Sequence, residues 1–244
     1  MQFKDGGYRQ FLQRPFFLSP SGELRHATGG EFAALGVVER EILKFYGLRA
    51  TDRLVDVGRC AGRLVAALRD WFTGSYLGTD VVRSLLAASR DLAPSGTWKF
   101  VKVNGIHIPA ADDSADLICM FSVLTHLLYE DSYNYLSEAQ RVLRVGGRIV
   151  FSFLEFREAN HWNVFMASIA TAKAHKKLTL NMFISRDAIE AWASHLNLRI
   201  VDVRGAYDRF VPLPEPVVLD SGGVMQEYGC LGQSVCVLER LDSK

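Results

Sequence analysis

The residues best suited to chemistry begin with the run Asp56-Val57-Gly58-Arg59-Cys60-Ala61-Gly62. Glycines flanking small residues let a ligand approach the main chain, and the start of a following helix offers free N–H groups. Asp56 either caps amides of this turn or meets an amino group on the ligand. Arg59 either pairs with a carboxylate or points to solvent. Asp80 follows roughly 20 residues on, the separation at which an acid accepts hydrogen bonds from ribose hydroxyls in dinucleotide sites. Asn104-Gly105-Ile106 comes next. The Asn104 amide reads an adenine amino group or satisfies a turn, and Ile106 or Val81 covers a ring face. Two proton acceptors, His126 and Glu155, lie further along, and either side chain can act as a general base.

These residues need a scaffold that brings them to one edge. The chain alternates short apolar runs with amphipathic stretches, the pattern of a parallel α/β sheet. Strands are predicted at 53–57, 75–80, 98–103, 116–121, 148–153, 199–204 and 234–239. The fourth, apolar throughout, reads as a central strand covered on both faces. Helices are expected from Glu31 to Gly47 (Leu35, Val38, Ile42 and Phe45), after Gly62 (Leu64, Leu68 and Trp71) and over 84–92, stopped by Pro94. Asp131 is expected to cap a helix that Gly146-Gly147 ends. Ser185 is expected to cap another with Ile189, Trp192 and Leu196 inward, and Pro212, Pro214 and Pro216 mark a loop. The fold expected is a Rossmann-like three-layer α/β sandwich, a seven-stranded, mostly parallel sheet with an antiparallel edge strand. In such a sheet the candidate residues meet at the C-terminal edge.

One domain over residues 1–244 is expected. Residues 1–48 form an N-terminal cap segment with Tyr8, Phe11, Phe16 and Phe17. Residues 154–184 form a lid-like insertion, because connections in such folds usually run about 2–6 residues. A helix is expected over 163–176. The insertion holds Phe156, Trp162, Phe165 and Met166, then a basic group of Lys173, His175, Lys176 and Lys177; His161 and His175 read as packing or surface residues that could also reach an acceptor.

Composition narrows the classes. Among 244 residues, 49% are apolar and 23% charged, so the chain reads as globular, and a net charge of +1 gives no field for nucleic acid or an acidic membrane. No apolar run is long enough to span a membrane, and the start lacks a signal-peptide stretch. Cys60, Cys119, Cys230 and Cys236 form no CxxC pair, which fits reduced thiols in a cytoplasmic protein. No metal-ligand spacing is present, and oligomeric state is not encoded legibly.

The order of these features resembles class I S-adenosylmethionine-dependent methyltransferases, and within them a bacterial small-molecule branch. The resemblance covers about residues 50–153. It rests on Leu54-Val55-Asp56-Val57-Gly58 with Gly62-Arg63, Asp80, Asn104-Gly105, the strand opened by Asp116 and continued through Phe121-Ser122-Val123-Leu124-Thr125-His126-Leu127, and Arg141 to Arg148 with its paired glycines; Gly29-Gly30-Glu31-Phe32 adds to it. It implies that S-adenosylmethionine is the cofactor. Gly58 and Gly62 would line its methionine part, Asp80 would hold the ribose, and Asn104 and Gly105 would sit by the adenine. Phe121 and Ser122 would touch the methionine end. It further implies methyl transfer to a small molecule, foremost a sugar or secondary-metabolite hydroxyl, with His126 as base. Glu155 is the second candidate, although relatives that use an acid there place it where this chain has Phe153. A further departure is Cys60, where the family pattern has glycine; its side chain narrows the cofactor's space.

Four alternatives are weighed at this level. Cys60 and the missing acid at Phe153 suit a non-catalytic cofactor- or partner-binding relative, and small-molecule N-methylation needs less help from a base. A nicotinamide oxidoreductase shares the glycine turn and distant acid, but the turn reads G-R-C-A-G rather than G-x-G-x-x-G. A nucleic-acid base methyltransferase is disfavoured by charge and by Phe121-Ser122-Val123-Leu124 after strand four.

Overall fold

The computed structural model describes residues 31–58, 62–94, 96–174 and 180–242. Its helices are α1 (Phe32–Phe45), α2 (Arg63–Leu68), α3 (Arg83–Leu92), α4 (Tyr129–Val142), α5 (Ala159–Lys173) and α6 (Arg186–His195). The main strands are β1 (Arg53–Val57), β2 (Ser75–Asp80), β3 (Trp98–Lys102), β4 (Ala115–Met120), β5 (Leu143–Phe153), β6 (Leu198–Arg204) and β11 (Ser234–Arg240). Between β6 and β11 lie the two-residue strands β7 (Val211–Pro212), β8 (Val217–Val218), β9 (Val224–Met225) and β10 (Tyr228–Gly229), paired as β10–β7 and β8–β9.

The seven-stranded sheet has the order β3-β2-β1-β4-β5-β11-β6. Strands β1 to β5 pair in parallel, and β11 runs antiparallel to both β5 and β6. The sheet is mostly parallel, as expected, but the antiparallel strand stands one place in from the edge, which β6 occupies. From β1 the chain winds outward to β2 and β3, then returns to β4 on the other side of β1. The β1–β4 junction is therefore a topological switch point, where crevices open beyond the strand ends.

Alternation along the strands builds two cores. Leu54, Cys119, Val150 and Val237 face Val38, Ile42, Leu64, Leu68 and Leu86 of α1, α2 and α3. Val55, Ile118, Ile149, Cys236 and Leu238 face Leu136, Ala139, Val142, Ile189 and Ala193 of α4 and α6. The proline-marked segment holds the short strands, and Val211, Val217 and Met225 join the α1 core.

Three local expectations need correction. Gly146-Gly147 does not end α4, which stops at Val142; the pair lies within β5. There residues 144–147 loop out of register, with Ala115 opposite Leu143 but Leu117 opposite Arg148. Gly146 takes φ 72°, and a Cβ at Gly147 would sit 2.9 Å from the Asp116 carbonyl oxygen. Asp131 lies in the first turn of α4 rather than capping it, because the helix starts at Tyr129. The helix of the 154–184 segment begins earlier than expected, at Ala159. Among the described residues, Cys119, Cys230 and Cys236 are free thiols, and no helix is long and apolar enough to cross a membrane.

Candidate functional site

Strand β1 ends at Val57, and Gly58 turns the chain with φ 64° while its N–H donates to the Thr79 carbonyl at 2.9 Å. A Cβ on Gly58 would lie 2.6 Å from Val123 Cγ2, so the turn packs directly on the segment after β4. Gly62, at φ 88°, stands at the N-terminus of α2, where a Cβ would lie 2.5 Å from Ser89 Oγ of α3. Only glycine fits both places. Arg59 and Cys60 lie outside the described residues. Asp56 sits behind the turn, almost fully buried. The Tyr76 hydroxyl donates to its Oδ2 at 2.5 Å, and the Cys119 thiol approaches Oδ1 at 3.5 Å. Burial, then the nearby Asp56 charge, pushes the Cys119 thiol well up, so it stays a protonated donor.

Asp80 ends β2 and is also buried. The Val82 N–H donates to its Oδ1 at 2.8 Å, and its carbonyl accepts from Val103 N–H at 3.0 Å. The carboxylate is thereby fixed at the C-terminal edge, and the chain leaving β3 is tied to it. Beside it, Val81 and Ile106 are half-buried, while Asn104 and Gly105 are exposed. Gly105 takes φ 101°, and nothing lies within 4 Å of where its Cβ would be. Its carbonyl accepts from the Tyr135 hydroxyl at 3.3 Å. Sequence reasoning read past Tyr135, whose signal is a hydroxyl-bearing ring beside Leu136 on the buried face of α4. Burial, followed by the charges of Asp80 and Asp131, raises Tyr135 to about 12, so it remains a donor. Asp116 does not join this group. It opens β4 at the opposite end of the sheet, where Arg53 and Arg144 hold its carboxylate at 2.9 and 2.5 Å.

Phe121 is buried just past β4, and Ser122 follows in the left-handed region at φ 57°. A serine held there costs about 1–3 kcal/mol, and such strain gathers at functional sites. Its N–H donates to Ser152 Oγ at 2.7 Å, and Ser152 in turn donates to Gln233 Oε1 at 2.7 Å. Gln233 is a second residue missed from sequence. Because β11 runs antiparallel, the residue preceding it arrives at the site edge, and only the sheet topology reveals that. Residues 124–126 form one 3₁₀ turn. There His126 Nδ1 meets the Leu180 carbonyl at 2.8 Å. A carbonyl only accepts, so Nδ1 carries the proton and Nε2 the lone pair. The same segment is anchored by Met182 N–H to the Thr125 carbonyl and Ile184 N–H to the Leu154 carbonyl, both at 2.8 Å.

Glu155 lies just beyond β5 and is 1% exposed. Arg186 grips both its oxygens at 2.9 and 2.8 Å, and Ser234 Oγ donates to Oε1 at 2.6 Å. Burial pushes this carboxyl up, but the Arg186 and Ser234 hydrogen bonds outweigh it and hold it below the usual range. His161 is buried beside it. Glu155 N–H donates to its Nδ1 at 3.0 Å, and its Nε2 donates to the Gly232 carbonyl at 3.2 Å. Both residues pin the 154–184 segment to the sheet. His175, Lys176, Lys177 and the N-terminal aromatics lie outside the described residues. Among the described residues, no group of three His, Cys, Asp or Glu side chains is placed to hold a metal ion.

A buried carboxylate beside open space at Gly105, with two glycine-only positions in the turn after β1, fits the ribose, adenine and methionine parts of S-adenosylmethionine. Residues 55–151 match the methyltransferase domain family. An uncharacterized methyltransferase of Mycobacterium avium is 32% identical over 109 residues, 44% of this chain and 42% of that protein. The chain's matches span less than half the length of such curated relatives. A Haloferax volcanii putative methyltransferase, solved in complex with the Trm112 methyltransferase activator, superposes with a TM-score of 0.61 at 16% identity, over 89% of this chain and 93% of that one. Magnesium protoporphyrin IX methyltransferase from Synechocystis, solved with bound S-adenosylhomocysteine, superposes with a TM-score of 0.58 at 11% identity, over 98% and 90%.

Proposed function

Residues 55–151 match the methyltransferase domain family, and we propose that the protein is a class I S-adenosylmethionine-dependent enzyme that transfers a methyl group to a small-molecule hydroxyl. The observation that carries this reading is His126, locked by Leu180 in the tautomer whose Nε2 can accept a proton. S-adenosylmethionine supplies, when bound, a methyl group on a sulfonium whose leaving group is a neutral thioether. Asp80 holds the ribose, while Val81, Asn104, Gly105 and Ile106 flank the adenine. Gly58 and Gly62, with Phe121 and Ser122, would line the methionine part. Asp56 stiffens the turn from behind. His126 Nε2 accepts the hydroxyl proton as the new C–O bond forms. The segment 180–184, laid across the turn after β4, orients the acceptor and sheds water from it. Both Glu155 oxygens are engaged by Arg186 and Ser234, which supports anchoring the lid as its role rather than proton transfer.

Isothermal titration with S-adenosylhomocysteine tests the cofactor part. Wild-type protein binds, and Asp80→Ala weakens binding about tenfold or more, the loss of a charged hydrogen-bond acceptor. Folded wild-type protein that does not bind would overturn the reading and return the weight to a non-catalytic relative.

A further inference from the structure

Helix α5 is largely apolar, yet His161 is its one buried residue. Its exposed side carries Trp162 and Met166, 47% and 48% accessible, next to Phe156 at 54%. Phe156 lies flat on buried Phe183, with ring centroids 4.5 Å apart and planes 9° from parallel. Phe165 meets Phe156 edge-on at 5.2 Å, and Trp162 lies 5.1 Å from Phe165. Four rings thus form one connected patch, with exposed Met166 on the same helix, that keeps much of its surface in water, a costly arrangement unless something covers it. The patch lies close along the chain to the proposed acceptor site. Phe183 is three residues from Leu180, whose carbonyl holds His126, and three residues of chain span at most roughly 10 Å.

Resting on the methyltransferase reading, we propose that this aromatic group is the acceptor platform, and that the acceptor is a flat, hydroxyl-bearing aromatic molecule. The platform offers π faces and a polarizable sulfur, which suit arenes. Its only polar side-chain group is the Trp162 indole N–H, too little to satisfy the many hydroxyls of a sugar.

The test uses 2-naphthol and methyl glucoside as probes, titrated into full-length protein saturated with S-adenosylhomocysteine. Wild-type protein binds 2-naphthol at least about tenfold more tightly than the glucoside. The double variant Trp162→Leu/Phe165→Leu weakens 2-naphthol about tenfold through loss of two ring contacts, while Trp162→Phe retains most of the affinity. Equal binding of both probes, or unchanged naphthol affinity in the leucine pair, would overturn the proposal. So would self-association that the leucine pair abolishes without altering naphthol binding, which would assign the patch to a second copy of the chain. S-adenosylhomocysteine affinity in the same preparations separates the two levels. If it persists and responds to Asp80→Ala, a failure with naphthol removes the platform alone; if it is absent, the methyltransferase reading falls as well.

Discussion

Glu155, just beyond β5, and Arg186, at the start of α6, form a two-pronged ion pair at 2.9 and 2.8 Å across the base of the 154–184 segment. The carboxylate is 2% accessible, whereas Arg186 keeps 28%. Removing one member strands the other's charge. Arg186→Met is expected to cost about 3 kcal/mol in urea denaturation, the low end for a buried pair because Arg186 retains solvent. Glu155→Met/Arg186→Met is expected to recover much of that loss. A single variant as stable as wild type would show that the pair does not anchor the segment.

His126→Gln keeps a side-chain donor toward Leu180 but has no nitrogen lone pair to take a proton. Methyl transfer to a hydroxyl acceptor is expected to fall about 100-fold or more in kcat. S-adenosylhomocysteine affinity is expected to stay at the wild-type value. Full turnover in this variant would remove His126 from the chemistry and favour an acceptor nitrogen that needs no base.

The contact between Gly58 and Val123 separates steric from torsional strain. Gly58→Ala places a methyl 2.6 Å from Val123 Cγ2 at φ +64°. It is expected to destabilise the fold by about 1–2 kcal/mol or more and to weaken cofactor binding. Adding Val123→Ala is expected to restore part of the stability, because it frees the space but leaves the backbone cost. Thermal denaturation of the four members of the cycle reads the interaction directly.

Acid is expected to act through Glu138 on α4. Arg141 holds its carboxyl down to about 2 against the cost of burial, helped by the Ile108 N–H and His107. A carboxyl depressed on folding stabilises fully above its unfolded value of 4.5 and loses that contribution as pH falls toward about 2. Glu138 also ties down residues 107–108, just after Asn104-Gly105-Ile106. Glu138→Gln is therefore expected to lower stability at neutral pH and to flatten the stability profile between these two values. Denaturant titrations at stepped pH measure both effects.

Much of the scaffold was readable from the chain itself, because apolar alternation and the strand-ending turns are local properties. Runs such as Leu117 to Met120 declare a doubly covered strand, and Gly58, Asp80 and Gly105 stand where strands β1, β2 and β3 give out. Such positions depend on backbone geometry within a few residues. Other features required distant segments to meet. Nothing near Gln233 in the chain points to Ser152, and only the reversed direction of β11 carries it to the site edge. The tautomer of His126 is set by Leu180, 54 residues away. Gly146-Gly147 read locally as a helix stop, but pairing with β4 absorbed it into β5 as a loop out of register. The roles of Glu155 and His161 also turned on partners, Arg186, Ser234 and Gly232, that no local pattern connects. Side-chain type tells what chemistry a residue can do, and the partner that fixes its proton, its charge or its exposure is chosen by the packing of the whole chain.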